Sequence, residues 1–154
     1  MATPDDLEAG LALLEAAAAE ARTERGGKIL VALAGSDQPL RERLVERLTD
    51  RTTFLALGFI DDVPVAVAVA ALSDRLAAGR LARIEALYVE PEARSVGLGE
   101  ELLGVVTTWA EGHGATGLDV GVLPGVREAK NFFESAGYVA RYIVMHRRLG
   151  SGGG

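Results

Sequence analysis

Cysteine is absent from this chain of 154 residues, and tryptophan occurs once and histidine twice. Without cysteine there can be no disulfide framework, thiolate nucleophile or cysteine-based zinc site. His113 and His146 fall in separate segments and make no ligand pattern, so no metal site is expected. Long apolar runs are missing too. The longest, Val63 to Leu72, falls short of the roughly 20 residues that cross a bilayer, and no membrane partner is expected. The start carries Asp5 and Asp6 where a secretory leader would carry a basic segment and an apolar core, so the expected location is cytoplasmic. The formal charge is -6, with no basic stripe of the kind that tracks a phosphate backbone, so no nucleic-acid partner is expected.

What is present is an ordinary globular balance, 49% hydrophobic and 25% charged, in a length that suits one domain. That domain is expected over residues 1–149, with a flexible glycine–serine tail at 150–154.

Thr3-Pro4-Asp5-Asp6 is a helix-start signal, and Leu7, Leu11, Leu14, Ala18 and Ala21 recur at helical spacing, which predicts a helix over 4–24. Lys28–Ala34 is apolar, short and readable as strand or helix. Ser36 or Asp37 caps a second predicted helix near 38–49, with Leu40, Leu44, Val45 and Leu48 inward. Thr52–Ile60 and Pro64–Leu72 read as strands joined at Asp61-Asp62, and a loop around Ser73–Arg80 leads to a third strand, Leu81–Val89. Leu98, Leu102, Val105 and Trp109 mark one face of a helix that stops at Gly112-His113-Gly114. Thr116–Val122 alternates: Leu118, Val120 and Val122 face one way, and Gly117, Asp119 and Gly121 face the other, leaving room for something to lie there. Arg127–Ala136 is a helix closed by Gly137, and Tyr138–Leu149 reads as one or two final strands. The predicted fold is therefore α/β, a single mixed sheet of mostly antiparallel strands with helices on both faces.

One segment indicates a ligand. After Leu87-Tyr88-Val89 the chain breaks at Pro91, passes through Arg94-Ser95-Val96-Gly97-Leu98-Gly99 and enters the helix at Glu100. A strand end feeding a helix start gathers unsatisfied N–H donors at the positive end of the helix dipole, which suits a pyrophosphate. Gly97 and Gly99 remove side chains where phosphate oxygens would approach; the plainer alternative is a tight turn with a close helix contact.

These residues resemble the GCN5-related N-acetyltransferase family. Its Gln/Arg-x-x-Gly-x-Gly/Ala signature is present as Arg94 to Gly99. A second landmark, Ala129-Lys130-Asn131-Phe132-Phe133-Glu134-Ser135-Ala136-Gly137-Tyr138, looks like the family's Ala-x-x-x-Tyr-Glu-x-x-Gly-Phe segment. The resemblance implies acetyl transfer from acetyl-CoA to a primary amine of a small molecule or a protein. It implies that Leu87, Tyr88 and Val89 pair with the pantetheine arm, and that Arg94, Ser95, Val96, Gly97, Leu98, Gly99 and Glu100 hold the pyrophosphate. Three departures stand out. Phe133 replaces the tyrosine that serves as general acid, Val126 replaces an asparagine, and Glu100 stands where a basic or hydroxyl residue is common.

Phenylalanine cannot give a proton, which makes Tyr138 and Tyr142 the candidates for that role and leaves open a non-catalytic acyl-CoA sensor of the same fold. Glu85, which alternation places on one strand face with Leu87 and Val89, is the leading candidate base, and Asp119 is the second; for each the plainer alternative is a structural ion pair or cap. Arg127 and Lys130 are positioned to meet the 3′-phosphate or to solvate a helix face. His146, in the last predicted strand, falls where the family places acceptor contacts or the contact between two copies in a homodimer. The family's opening strand is missing, truncated or supplied by Lys28–Ala34.

Overall fold

The computed structural model describes residues 4–34, 39–74 and 79–150. Helix α1 (Pro4–Thr23) begins on proline with Asp5 and Asp6 in its first turn, where the dipole favours acids. A turn at Gly26 leads into α2 (Gly27–Ala34), which packs back against α1. The ambiguous piece Lys28–Ala34 is thus helical and supplies no opening strand. Helix α3 (Leu40–Thr49) follows; the caps proposed at Thr3, Ser36 and Asp37 lie outside the described residues.

Strands β1 (Thr53–Ile60) and β2 (Val63–Ser73) form the predicted hairpin. Asp61 and Asp62 both take positive φ, 49° and 64°, the geometry of a two-residue turn that matches strand twist. The part of the loop at 75–78 lies outside the described residues. Strand β3 (Leu81–Val89) pairs antiparallel with β2. A short 3-10 turn (Pro91–Ala93), helix α4 (Leu98–Gly112), strand β4 (Gly117–Val120) and helix α5 (Arg127–Ser135) complete the body. The sheet order is β1-β2-β3-β4, with only the β3/β4 pair parallel.

Alternation along β2 builds two cores. Ala66, Ala68 and Ala70 face α4 and α5, where Leu102, Leu103, Val106 and Phe133 are buried with them. Val67 and Val69 face α1, meeting Leu13, Leu14, Ala16, Ala17 and Tyr88. Alanine at every second position lets α4 approach the sheet closely. Trp109 stacks on Phe54 at 5.1 Å. On α4, Val106 is buried where Val105 was expected; on α3, Leu44 is buried as expected and Val45 is exposed.

The predicted strand or strands over Tyr138–Leu149 do not form. Residues 139–150 run without a ladder partner and are exposed throughout. Alternating apolar residues there satisfy the strand pattern, but a strand exists only by pairing, and β4 presents an edge of just four residues. Beyond Gly150 the expected tail lies outside the described residues.

Candidate active site

The register of β3 defines the site. Leu81 to Ile84 pair with Gly117 to Val120 of β4, and there the ladder stops; β3 continues to Val89 with β2 on one side only. The split begins beside a bulge. Ala86 faces Val69 and Ile84 faces Ala70, so Glu85 is an inserted residue with no opposite number on β2. The Glu90 N–H bonds to the Val65 carbonyl at 2.8 Å, toward β2. Strand alternation then turns the backbone groups of Val89 and Leu87 to the open side, and those of Tyr88 toward β2.

At the end of that open edge lies the glycine turn. Ser95 and Gly97 take positive φ, 78° and 84°, and Gly97 caps α4 in a left-handed conformation. The first turn-to-helix bond runs from the Glu101 N–H to the Gly97 carbonyl at 3.1 Å. Among the described residues, the amides of 95–100 meet no backbone carbonyl. They form a run of free donors at a helix N-terminus. Open space surrounds Gly97, whereas a Cβ on Gly99 would meet Phe132 at 3.6 Å and Val89 at 3.8 Å. One glycine thus shapes the turn and the other seats the helix. The donor set fits a diphosphate, with Glu100 and Glu101 in the first turn opposing it.

Arg94, expected at the pyrophosphate, makes contacts within the protein. Its Nε donates to the Val89 carbonyl at 2.9 Å, and its Nη2 faces both Glu20 oxygens at 2.8 and 2.9 Å. Its guanidinium lies 5.7 Å from the centre of the Tyr88 ring. Tyr88 is buried on the α1 side, and that burial pushes its hydroxyl above the ordinary tyrosine value. Lys130 pairs with Glu134 at 3.5 Å along α5.

The carboxylates also have arginine partners. Glu85 pairs with Arg47 of α3. The bulge breaks the two-residue period, so Glu85 does not share a face with Leu87 and Val89, which pack with the α4–α5 cluster. Asp119 receives Arg141 Nε at 3.0 Å and Nη2 at 2.5 Å, and these bonds hold its carboxyl below the usual aspartate range. The room expected beside Gly117 and Gly121 is filled by this chain itself: a Cβ would meet Leu81 at 2.7 Å and Arg83 at 3.4 Å.

The tyrosines divide. Phe133 is buried and meets Phe132 and Tyr138 edge-on at 5.1 and 5.2 Å. Tyr138 packs on the same cluster as Leu87, Val89 and Val122, and burial raises its hydroxyl above the ordinary value. Tyr142 stands exposed on the segment after α5, with the Arg141 guanidinium over its ring at 4.9 Å. His146 lies on that exposed segment too. Among the described residues no group of three or more histidines and acids could hold a metal, and no helix is long and apolar enough to cross a membrane. Sequence reasoning missed Glu20 and Arg47. Each carries charge on a helix with no local sign of a distant partner.

A strand that parts from its neighbour and ends in a turn of free amides defines an acyl-CoA N-acyltransferase fold. Residues 33–138 match the Acetyltransferase (GNAT) family, and the chain belongs to that family. No curated protein sequence matches the chain. Among solved structures it is similar to a tetramutant of the BH1408 protein from Bacillus halodurans, with TM-score 0.78 and 19% identity over 96% of this chain and 97% of that one. It is also similar to a ribosomal-protein-alanine N-acetyltransferase from Brucella melitensis biovar Abortus 2308, with TM-score 0.67 and 17% identity over 94% of each chain. A third is an aminoglycoside acetyltransferase, meta-AAC0020, from an uncultured soil metagenomic sample in complex with sisomicin, with TM-score 0.69 and 17% identity over 96% and 91%. At these identities the likeness concerns the fold.

Proposed function

We propose that the protein acts in the cytoplasm as an acetyl-CoA-dependent N-acetyltransferase whose acceptor is a primary amine of a small molecule or a protein. The observation that carries this reading is the open edge of β3 running into the free amides of 95–100. On this reading the backbone of Leu87 and the N–H of Val89 pair with the pantetheine arm as a neighbouring strand would. Tyr88 supports that edge from the α1 face, and the amides from Ser95 to Glu100 receive the diphosphate. Arg94 reaches the site through the Val89 carbonyl that it holds.

The amine attacks the thioester carbonyl, a C–N bond forms, and the C–S bond breaks. Strand N–H groups near Val89 would receive the oxyanion between these events. The amine must first lose a proton, for which Glu85, held in place by Arg47, is the proposed acceptor, directly or through water. The departing thiolate, with a thiol pKa near 8.5, leaves tolerably without an acid. Of the two tyrosines, Tyr138 suits proton donation better than Tyr142. Its hydroxyl stays protonated at neutral pH and it packs with the residues that line the split, whereas Tyr142 is exposed.

The experiment is CoA-thiol release over a panel of amines. Acceptor-dependent release supports the transferase. The buried Phe133 favours one second reading, an acyl-CoA sensor, which predicts tight CoA binding without acceptor-dependent release. If CoA binds at all, a hundredfold excess over its dissociation constant adds about 2.7 kcal/mol of stability, which raises the melting midpoint by roughly 5–10 °C.

A further inference from the structure

Arg94 and Glu20 are 74 residues apart in sequence, yet their charged ends lie 2.8 Å apart. Glu20 sits in the last turns of α1, and Arg94 stands between the 3-10 turn and the positive-φ residue Ser95. The guanidinium makes three kinds of contact at once. Nε holds the Val89 carbonyl at the end of β3, Nη2 holds the Glu20 carboxylate, and Cζ lies over the Tyr88 ring, 5.7 Å from its centre. Tyr88 in turn packs in the cluster that includes Ala16 and Ala17 of α1. Nε and Nη2 of this arginine are thus committed to a carbonyl and a carboxylate of the protein itself. Its geometry is that of a brace between α1 and the turn.

We propose that Glu20 is a positioning residue for the donor site: through Arg94 it fixes the start of the amide turn, so that the free N–H groups of 95–100 are pre-arranged before CoA arrives. The proposal rests on the acetyl-CoA reading of that turn. Arg94 then contributes to CoA affinity by position. This account and an Arg94 that Glu20 holds back from phosphate predict opposite signs for one substitution. If Arg94 were a phosphate ligand restrained by Glu20, removing Glu20 would free it and tighten CoA. If Arg94 is a brace, removing Glu20 loosens the turn and weakens CoA.

The test is calorimetric titration of CoA into the intact wild-type chain, Glu20→Ala, Glu20→Gln, Arg94→Ala, Arg94→Lys and the Glu20→Ala/Arg94→Ala pair. Glu20→Ala and Glu20→Gln should weaken CoA by about threefold to fivefold, the upper range for a partly exposed ion pair. Arg94→Ala should weaken it more, and the double variant should bind no worse than Arg94→Ala alone. Arg94→Lys should behave like Arg94→Ala, because an ammonium cannot hold the carbonyl and the carboxylate in one plane. With acetyl-CoA saturating, kcat for the best acceptor should stay within twofold of wild type in Glu20→Gln, the loss appearing in the KM for the donor.

Two results overturn the brace alone: CoA binding that is unchanged or tighter in both Glu20 variants, or full rescue by lysine at position 94. Wild-type chain that does not bind CoA overturns the proposed function and the brace together. Should Glu20→Ala fold poorly by circular dichroism, the near-isosteric Glu20→Gln decides.

Discussion

The turn from β3 into α4 and the segment after α5 both carry apolar side chains in irregular backbone, and they meet opposite fates. In the turn, Ala93 is buried, Leu98 lies against Gly58 of β1, and Gly99 seats on Phe132 and Val89. Val96 is the apolar side chain left exposed there, beside the free amides. In the segment, Val139, Ile143, Val144, Met145 and Leu149 are each more than three-quarters exposed, and the one described ion pair is Arg141 to Asp119. The donor end of the proposed site is therefore written in backbone on a packed frame. The acceptor end would have to be written in side chains, and those of 139–150 have no frame in this structure. A shared cosubstrate asks for the first arrangement, and differing acceptors are consistent with the second.

That contrast can be broken first at Phe133 and Met145. Phe133→Ala removes a buried ring from the core between β2, α4 and α5 and should cost about 3–5 kcal/mol, read by denaturant unfolding. Met145→Ala should stay within about 0.5 kcal/mol. Equal losses would mean that the segment is packed after all. Tyr138→Phe is next in size. If its hydroxyl protonates the thiolate, kcat falls by about 10²-fold while the dissociation constant of CoA holds, and Tyr142→Phe leaves both unchanged.

The two glycines sharpen the comparison within the turn. Gly97→Val puts a β-branched residue at a φ of 84°, and CoA affinity should fall by about tenfold or more. Gly99→Ala meets its neighbours at ordinary contact distances and should cost CoA no more than about threefold. Matching effects at both positions would mean that turn shape is irrelevant to binding.

The smallest effect concerns pH. Asp119 has its carboxyl lowered by Arg141, so its contribution to stability is present above the ordinary aspartate value and is lost as pH falls through the lowered one. After solvent screening it amounts to less than about 1 kcal/mol. Thermal midpoints of wild type and Asp119→Asn should therefore differ at pH 6 and converge toward pH 2. A gap that persists in acid would show that the ion pair is not its source.

Much of the frame was legible because it is locally coded. The Asp61-Asp62 hairpin, the three strands, the α4 and α5 helices and the Arg94–Gly99 turn each rest on residues within a few positions of one another. What escaped depends on distance or on a single inserted residue. The bulge at Glu85 shifts the strand period by one, which no alternation count detects, and it sends the carboxylate to Arg47. The ion pair of Arg94 escaped because its partner Glu20 lies two helices and three strands earlier. The final strand was misread because a period of two records what a segment could pair with and carries no information on whether a partner edge exists.

The most direct measurement follows backbone amide resonances of the 15N-labelled chain as CoA is added. The largest shift changes should fall on residues 95–100, with smaller ones along Leu87 to Val89, all saturating with one dissociation constant. Shift changes centred elsewhere, or none at saturating CoA, would contradict a donor site built on the free amides of that turn.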